Sequence, residues 1–532
     1  MRHTFTSIQL PTTDHPIQHL IQLSRYEFQQ TLAKQSTTLQ QAVGEYISRT
    51  GMYPPPHFDI WYDFARSKNV QLIDEYDIIN DLLKPFWGIH SATIRANARD
   101  TLGAENSQFP GLLIRNGIIH RPDGLGAYEE RHFNSLVKMV QPFAHHLPDM
   151  DLVINTKDEP SIVTPQDALA RYIRDAGKYR RPQTPLNHFS RRPADLVDEI
   201  PKHYGSNVFD LSAKTAWSAI TQSCPIESPA RQPNGSDLVE SYSYRGFLYN
   251  TTAFKEVCNQ PSLPYHHGFF DRPATLLYSP TLSPVFSVAK VSTFNDILIP
   301  PPVMYSERIF IENGSDIDWE DKRDQLHWRG GTSTGFATEE GFHRHHRQRF
   351  VTGMDDIKTP VPILKKVNNK WIKETMTPDE AQPLFDVNFT KISQIATKEA
   401  IDAELTQFHI EPQEGQQELW KWKYLLDIDG HGESGRYYAL LKSKSLVFKA
   451  AMFREWHDEL LWPWVHYIPL GLDGGDWYES VRYFAREESG KVEGKIIAEE
   501  SSGWAKKVLR KDDMEVWMFR LLLEYFPRLS VE

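Results

Sequence analysis

The sequence predicts an α/β fold, because short apolar runs of the kind found in buried strands alternate with stretches of helical periodicity and with glycine-containing loops. Residues 420–469 show this pattern most fully. They contain a strand over 424–428, a glycine-containing loop, a helix over 435–442 and a second strand over 445–448. A unit of this kind is typical of doubly wound sheets, which bind ligands at the carboxyl ends of their strands.

The start of the predicted helix carries the residues of an anion site. Ser434 is the expected N-cap, and Arg436 lies in the first turn. Free backbone N–H groups at a helix start favour an anion, and an arginine can add a bidentate contact to a phosphate. These residues predict binding of a phosphorylated donor. The alternative for Arg436 is a structural ion pair with Glu433 or Asp429.

Two further strands are followed by segments that carry candidate functional residues. A strand over 325–329 leads directly into the glycine-rich segment 330–335, which can present backbone N–H groups to phosphate oxygens. This segment lacks the lysine of a Walker loop and the spacing of a dinucleotide fingerprint, so it does not identify a nucleotide by itself. A strand over 151–155 ends in the acidic segment 156–160.

Helical and loop patterns frame these strands. Residues 16–48 are predicted to form a polar, amphipathic helix in a peripheral arm, and residues 58–65 a helix whose aromatic face packs in the core. Residues 180–275, rich in Pro, Ser, Asn and Tyr, predict long loops on one face. Residues 296–302 are the expected crossing between two domains. Residues 514–529 predict an amphipathic helix near the end of the chain.

Composition excludes several classes of protein. The 532-residue chain has a formal net charge of −11, which argues against a nucleic-acid binder or a polybasic membrane-surface protein. No run of about 20 apolar residues predicts a membrane span, and the start of the chain lacks the apolar core of a signal peptide. The only cysteines, Cys224 and Cys258, are open to pairing or to remaining free. Four glycosylation triplets favour a lumenal protein and begin at Asn234, Asn250, Asn313 and Asn388.

Four segments occur in a fixed order along the chain: LPDMDLVINTKDEP at 147–160, FNDILIPPP at 294–302, LHWRGGTSTG with the basic run HRHHRQRF within 326–350, and LDIDGHGESGRYYALLKSKSLVFKAAMFREW at 426–456. Together they resemble glycosyltransferase family 90, which includes the protein O-glucosyltransferases and the fungal capsule-associated xylosyltransferases. The segment YPPPHFDIWYDFA, at 53–65, resembles the fungal branch in particular.

The resemblance implies a GT-B architecture, in which two Rossmann-like domains face each other across a cleft. An N-terminal helical extension and a final helix that can cross back complete the expected organisation. The expected boundaries are an extension over 1–100, an acceptor-side domain with long loops over 101–300, a nucleotide-sugar-binding domain over 301–510 and a C-terminal helix over 511–532.

The resemblance also implies transfer from a UDP-sugar with inversion. Asp158 occupies the position of the family's catalytic base, and an Asp at the carboxyl end of a strand in the first domain can supply the in-line geometry. Fixed donors would stabilise the leaving diphosphate. The residues that match donor-binding positions are Arg329, Gly330, Gly331, Thr332, Ser434 and Arg436, together with Glu455, which could accept from ribose hydroxyls.

Two patterns raise the question of a metal. Asp427 and Asp429 form the D-x-D pattern that binds a metal–diphosphate in the other major glycosyltransferase fold, and both carboxylates can share one face of a strand. GT-B enzymes usually work without metal, so no metal cofactor is expected and the UDP-sugar is a co-substrate. His343, His345 and His346 are expected to form a basic face with their arginine neighbours rather than a zinc site.

The function implied is an inverting glycosyltransferase that moves xylose or glucose from a UDP-sugar to a hydroxyl of a glycan or glycoprotein. The family places such an enzyme in the lumen of the Golgi or the ER, with no nucleic-acid partner. Two alternatives stay open. One is a glycan-binding protein on a degenerate transferase fold. The other is a glycoside hydrolase with paired carboxylates, such as Asp158 and Glu159 or a more distant partner.

Overall fold

The computed structural model describes residues 14–105, 107–178, 187–306 and 316–525. Within these ranges the strands form two five-stranded sheets and three two-stranded ones, and helices pack around both large sheets, so the predicted α/β class is confirmed. No helix in the described part of the chain combines the length and the apolarity needed to cross a bilayer.

The strands are β1 (Gly111–Arg115), β2 (Ile118–His120), β3 (Met150–Ile154), β4 (Phe209–Asp210), β5 (Ser243–Tyr244), β6 (Phe247–Leu248), β7 (Leu277–Tyr278), β8 (Val285–Ser287), β9 (Ile297–Leu298), β10 (Arg323–Gly331), β11 (Val361–Val367), β12 (Lys370–Met376), β13 (Phe385–Lys391), β14 (Trp422–Ile428), β15 (Leu446–Ala450) and β16 (Ile468–Pro469).

The helices of the first half are α1 (Pro16–Ala33), α2 (Leu39–Thr50), α3 (Phe58–Ser67), α4 (Asp77–Leu83), α5 (Ser91–Gly103), α6 (Ala127–Val140), α7 (Gln166–Ala176), α8 (Trp217–Ile220), α9 (Thr251–Phe254) and α10 (Gly268–Asp271). Those of the second half are α11 (Pro302–Tyr305), α12 (His346–Met354), α13 (Pro378–Ala381), α14 (Lys398–Gln407), α15 (Gln416–Leu419), α16 (Tyr437–Lys442), α17 (Trp477–Arg486), α18 (Glu488–Val508) and α19 (Lys511–Tyr525).

The first large sheet has the order β2-β1-β3-β8-β9, with β1 antiparallel to both neighbours and β3, β8 and β9 parallel to one another. The second has the order β13-β10-β14-β15-β16 and is parallel throughout. Leu425 and Val447 pack in one buried cluster, and Leu426 and Phe448 pack in the other. Both faces of the second sheet are therefore covered, which explains the nearly continuous apolar runs of β14 and β15.

The N-terminal segment is not the single peripheral helix predicted over 16–48. It forms α1 and α2, because Thr38 and Gln41 build a capping box that starts a new helix. Ile17 and Ile21 of α1 are fully buried, and the preceding His15 bonds to Glu479 of α17 at 2.9 Å. The N-terminal helix is therefore part of the packed structure.

The last helix, α19, is buried on every side rather than amphipathic, and residues 526–529 of the predicted helix lie outside the described residues. It packs against α3, α4 and α6 of the first half. Phe519 stacks on Phe143 with ring centroids 4.6 Å apart, and the Trp61 indole donates to the Val516 carbonyl oxygen at 3.1 Å. Chain segments about 450 residues apart thus share one core.

Residues 187–275 contain only short elements, in agreement with the long loops predicted there, and residues 179–186 lie outside the described part. A disulfide joins Cys224 to Cys258 across this region, with Cα atoms 5.5 Å apart. Of the four glycosylation triplets, Asn234 is exposed, Asn250 is half-buried at the start of α9, Asn388 is buried in β13, and Asn313 lies outside the described residues. Burial makes Asn388 inaccessible in the folded protein.

Candidate active site

Asp158 follows β3 in a turn that Asn155 holds in place. The Asn155 amide nitrogen donates to the Glu159 carbonyl oxygen at 2.8 Å and to the Ser287 hydroxyl at 3.1 Å, and its oxygen accepts from the Lys157 N–H at 2.9 Å. The Asp158 side chain remains exposed beyond the carboxyl end of the first sheet. Surrounding protein atoms reduce the hydration of the Asp158 carboxylate and so raise its pKa. The positive charge of Lys157 acts in the opposite direction.

Glu159 does not share this position. Its carboxylate is buried and accepts from the backbone N–H groups of Ala274 at 2.7 Å and Thr275 at 2.8 Å. Burial raises the pKa of Glu159 to about 8. Asp158 and Glu159 therefore do not form the paired carboxylates of a hydrolase, which leaves only a more distant partner for that alternative. Glu159 instead joins the turn to the loop that follows α10.

The loop after β14 approaches Asp158 from the second sheet. A Cβ added to Gly432 would lie 3.0 Å from the carbonyl carbon of Asp158 and closer still to its oxygen, so the two backbones touch. Burial and the Asp158 charge raise the pKa of the adjacent Glu433 well above the usual range. The same two carboxyl groups contribute to the raised pKa of Tyr128, after burial, which identifies Tyr128 as a third member of this group.

The two carboxylates of the D-x-D pattern, Asp427 and Asp429, accept hydrogen bonds from other groups of the protein. Asp427 accepts from the Ser434 hydroxyl and from Lys449 Nζ at 2.9 Å. Asp429 accepts from the backbone N–H groups of Met452 at 2.6 Å and Phe453 at 3.1 Å. Both side chains therefore stabilise the loop between β14 and α16. Within the described ranges no group of three or more His, Cys, Asp or Glu residues could hold a metal ion.

Ser434 is not the N-cap of the helix. Its hydroxyl is used by Asp427, and α16 begins at Tyr437, two residues later than predicted. Arg436 therefore precedes the helix instead of lying in its first turn. In the described part of the chain Arg436 forms no ion pair with Glu433 or Asp429, so the structural alternative for Arg436 is not realised.

Arg436 and Arg347 form a pair of neighbouring cations beyond the ends of β10 and β14. Arg436 donates to the Arg329 carbonyl oxygen, and its guanidinium lies 5.8 Å from the centre of the Trp328 ring. The Arg347 guanidinium lies 5.6 Å from the same ring and donates to the carbonyl oxygen of Gly331 at 3.1 Å. Burial, and next the charge of Arg436, lower the pKa of Arg347 to about 10.

Further contacts of Arg347 are also to main-chain oxygens. It donates to the Asp429 carbonyl at 2.9 Å and to the Ile428 carbonyl at 3.2 Å. Among the described residues, neither Arg347 nor Arg436 has a carboxylate within ion-pair distance. The negative charge of Asp427 acts on both arginines from beyond ion-pair distance. Two adjacent guanidinium groups without a carboxylate in direct contact make a site suited to an anion. The sequence gives Arg347 no separate signal, because it lies inside a basic run.

Arg329 has a different environment from the one expected of a phosphate ligand. Its guanidinium donates to the Asp386 carboxylate at 2.7 Å and to the Asp386 carbonyl at 2.9 Å, and lies 3.6 Å from Glu414. Side chains alternate along a strand, so Trp328 and Arg329 point to opposite faces of β10. It is the Arg329 carbonyl, rather than its side chain, that contacts the arginine pair.

The glycine-rich segment begins inside the sheet. Gly330 and Gly331 belong to β10, and a Cβ on Gly330 would lie 2.5 Å from the Trp328 indole. The Thr332 N–H donates to the Lys391 carbonyl at 3.2 Å, and the Thr332 hydroxyl donates to Glu404 at 3.0 Å. These bonds use donors that the sequence predicts for phosphate binding.

The histidines of the basic run are mostly internal, so they do not form the expected basic face. His345 bonds to the Thr334 hydroxyl at 2.8 Å, and His346 bonds to the Asp429 carbonyl at 2.7 Å. His346 also stacks on His267 at a centroid distance of 3.7 Å, and burial lowers the pKa of both rings. Only His343 of the three is exposed.

Glu455 lies beyond the end of β15 and is buried. Its Oε1 has no hydrogen-bond partner among the described residues, Lys449 Nζ lies 3.6 Å away, and burial raises the pKa of Glu455 to about 8. A cavity of ≈310 Å³ is lined in part by Lys449, Tyr437 and His457, and Glu455 itself does not line it. A wider groove of ≈510 Å³ runs from Lys157 along the first sheet.

Comparison with known proteins gives the chain's relationships. Residues 365–532 match the family model described as Glycosyl transferase family 90. The chain is 30% identical over 112 residues to protein O-glucosyltransferase 3 of Mus musculus, which is 21% of this chain and 22% of that protein. It is 33% identical over 111 residues to protein O-glucosyltransferase 1 of Homo sapiens, covering 21% and 28% of the two chains.

A longer alignment, with the O-glucosyltransferase rumi homolog of Aedes aegypti, covers 220 residues at 27% identity, which is 38% of this chain and 52% of that protein. The chain thus aligns with between about a fifth and about a half of the length of these relatives. Ser434, Arg436 and Glu455 lie inside the region matched by the family model, whereas Asp158 and the 329–332 segment lie outside it.

Proposed function

Since this chain is a member of glycosyltransferase family 90, related to the protein O-glucosyltransferases, we propose that it is an inverting, UDP-sugar-dependent glycosyltransferase. The sugar transferred is xylose or glucose, and the acceptor is a hydroxyl of a glycan or glycoprotein. The single observation that carries the proposal is the pair of neighbouring cations, Arg347 and Arg436, which has no carboxylate partner among the described residues.

We assign the two large sheets to the two Rossmann-like domains of a GT-B enzyme, over 101–300 and 301–510. Support comes from the contact between the turn after β3 and the loop after β14, because a GT-B active site lies where such segments meet. In this assignment residues 1–100 form a helical extension, and the helix within 511–532 returns to pack on the first half.

The donor diphosphate binds between the two guanidinium groups of the pair. Each arginine is anchored to main-chain oxygens at strand ends, so both cations are fixed before the ligand arrives. Fixed charge of this kind stabilises the departing diphosphate without reorganisation during the reaction. Arg329 and Gly331 support the site through their carbonyl groups. Gly330 leaves room for the Trp328 indole beside the pair, and Thr332 and Ser434 hold the adjoining loops.

Asp158 acts as the general base. Its carboxylate takes the proton of the acceptor hydroxyl as the hydroxyl oxygen forms a bond to the anomeric carbon. The bond from that carbon to the diphosphate oxygen breaks on the opposite face, and the electron pair leaves with UDP. We assign the acceptor to the groove that runs from Lys157, because this groove begins one residue before the base.

Glu455 is assigned to the ribose of the donor. Its unpartnered Oε1 is an acceptor in need of a donor group, and a ribose hydroxyl supplies one. Charge neutralisation by Arg347 and Arg436 leads us to expect no requirement for a metal cofactor, so the UDP-sugar is the only co-substrate.

The lumen of the secretory pathway, Golgi or ER, is the proposed location. The disulfide between Cys224 and Cys258 supports this proposal, because disulfides persist in oxidising compartments. The exposed triplet at Asn234 is also compatible with glycosylation there. Detection of a glycan on Asn234 in protein secreted from eukaryotic cells would test the location, and protein free of both modifications would contradict it.

The experiment is nucleotide release from a panel of UDP- and GDP-sugars, with and without EDTA, by the wild type and by Asp158→Asn. We expect release from one UDP-sugar, unaffected by EDTA and lost in the variant, while the variant still binds UDP. A protein that binds no UDP would overturn the transferase proposal. Turnover of a glycoside without any nucleotide would instead favour the hydrolase.

A further inference from the structure

Glu433 lies between the base and the proposed diphosphate site. Gly432, one residue before it, touches the backbone of Asp158, and Arg436 follows three residues later. Inversion requires the attacking hydroxyl and the leaving oxygen to lie on opposite sides of the anomeric carbon. The transferred sugar therefore has to occupy the space between Asp158 and Arg436, next to Glu433.

The carboxyl group of Glu433 has an unfilled hydrogen-bonding position. Its Oε2 is inaccessible to solvent and has no partner among the described residues. A buried polar atom without a partner destabilises the protein that contains it, so it is a position at which a ligand group can supply the missing hydrogen bond. A sugar hydroxyl in the space between Asp158 and Arg436 would satisfy it.

Burial, and next the charges around Glu433, raise the pKa of its carboxyl group. The carboxyl groups of Asp158, Glu455 and Asp429 act on it, and Tyr128 lies next to Asp158 and Glu433. The counter-charges nearby are Lys157 beside Asp158, and Arg131 beside Tyr128, while Glu129 adds another negative charge there.

Two neighbouring carboxyl groups at one site hold a single proton between them. Asp158 is the more exposed of the two, so the proton stays on Glu433 and Asp158 remains ionised for its role as base. A protonated carboxyl group both donates and accepts a hydrogen bond. Glu433 is thereby suited to a sugar hydroxyl and unsuited to a phosphate oxygen that needs a cation.

We propose that Glu433 binds a hydroxyl group of the transferred sugar and is a specificity-determining residue of the donor site. The proposal rests on the proposed transferase function, because it takes the sugar of the UDP-sugar as its ligand. It assigns the nucleotide and the diphosphate to other residues, so the binding of UDP alone does not depend on Glu433.

The test compares the binding of UDP and of the preferred UDP-sugar, by calorimetry, for the wild type, Glu433→Ala and Glu433→Gln. Turnover is measured in parallel over a range of pH. The matched control is Glu340→Gln, which makes the same chemical change at an exposed glutamate beyond β10. Circular dichroism and a thermal scan check that each variant folds.

For Glu433→Ala we expect UDP to bind as in the wild type, and the kcat/KM for the UDP-sugar to fall by about 10- to 100-fold, which is the range for one buried hydrogen bond. Glu433→Gln keeps a donor and an acceptor and should stay within a few-fold of the wild type. In both variants the acid limb of the pH profile should stay at its wild-type position, because Glu433 is already uncharged where Asp158 titrates, and the fall in kcat/KM that ionisation of Glu433 causes at alkaline pH should be absent.

Two results would overturn the proposal. If Glu433→Ala turns over the UDP-sugar with unchanged kcat/KM and pH profile, Glu433 does not contact the sugar, and the transferase function stands. If the variant loses UDP and UDP-sugar affinity equally, Glu433 supports the nucleotide site instead. Failure of the wild type to bind any nucleotide would overturn the transferase function itself, together with this inference.

Discussion

Gly432 lies against Asp158 so closely that a side chain at position 432 would have its Cβ 3.2 Å from the Asp158 Cβ and nearer still to the Asp158 carbonyl oxygen. This backbone contact joins the turn after β3 to the loop after β14. The proposed base and the proposed diphosphate site are therefore held in register by a pair of main-chain segments, with no side chain between them.

Gly432→Ala should separate these segments. The added methyl group collides with backbone atoms that cannot rotate away, so the base moves relative to the donor, and a displacement near 1 Å can reduce a rate by about 100-fold. The measurement is kcat with the preferred UDP-sugar. Gly435→Ala in the same loop is the control, because its Cβ would meet no atom nearer than 4.0 Å. Equal activity of the two variants would show that the contact has no catalytic role.

Replacement of either cation should weaken nucleotide binding. Arg347→Ala and Arg436→Ala each remove charge-assisted hydrogen bonds to the diphosphate, which contribute about 1.5–3 kcal/mol each. We expect the Kd for UDP to rise by about 10- to 150-fold, and the UDP-induced increase in Tm to shrink accordingly. The control is Arg349→Ala, on the same helix as Arg347. The Arg349 guanidinium donates to the Leu472 and Asp473 carbonyls. A wild-type Kd in either variant would contradict the assignment.

The pH profile of the wild type should report on Asp158. Reduced hydration raises the pKa of Asp158 above the ordinary value of about 3.9. The base works only when ionised, so activity is present above that raised pKa and is lost as the pH falls through it. We expect the acid limb of log(kcat/KM) to lie above the pH at which an ordinary aspartate titrates. A limb at or below about pH 4 would mean that the surroundings do not perturb the base.

Glu455 should make the folded protein less stable in alkali. Burial raises its folded-state pKa to about 8, whereas an unfolded glutamate titrates near 4.3. The stability linked to its proton is complete below about pH 4 and is lost as the pH rises through 8. Glu455→Gln removes this dependence, so its Tm should exceed that of the wild type more at pH 8 than at pH 5. The opposite order would mean that Lys449 keeps Glu455 ionised.

The disulfide should contribute substantially to stability. Cys224 and Cys258 are separated by 34 residues in the sequence. A cross-link that closes a loop of that length stabilises a protein by about 4 kcal/mol, because it lowers the conformational entropy of the unfolded chain. The double variant Cys224→Ser with Cys258→Ser should therefore unfold at lower denaturant concentration than the wild type. Reducing agent should destabilise the wild type and leave the double variant unchanged; an equal response of both would exclude a structural disulfide.

The sequence was most informative where local pattern and tertiary packing agree. The strand at 424–428 is β14, and its apolar run follows from burial on both faces. Ser434 failed as an N-cap because a partner seven residues earlier, Asp427, uses its hydroxyl, and no local rule registers that competition. The predicted single helix over 16–48 failed for the opposite reason, since Thr38 and Gln41 carry a visible capping box.

Part of the candidate site could not be predicted because it exists only in three dimensions. Arg347 lies in a run of basic residues, and it becomes distinct only when the ends of β10 and β14 bring carbonyl groups to its guanidinium. Arg329 matches a phosphate ligand by position, yet strand alternation points its side chain at Asp386. Residue type and spacing select the segments of the proposed site, and strand direction decides which of their side chains face it.

The position of α19 has a consequence for biosynthesis. Its Arg520 guanidinium lies over the rings of Trp61 at 4.5 Å and Phe58 at 4.6 Å, so α3 is covered by a segment translated more than 440 residues later. While the ribosome makes the intervening chain, the aromatic face of α3 lacks the part of its native cover that α19 supplies. That part of the face stays exposed until residues 511–525 emerge, and exposed apolar surface on a nascent chain is prone to aggregation.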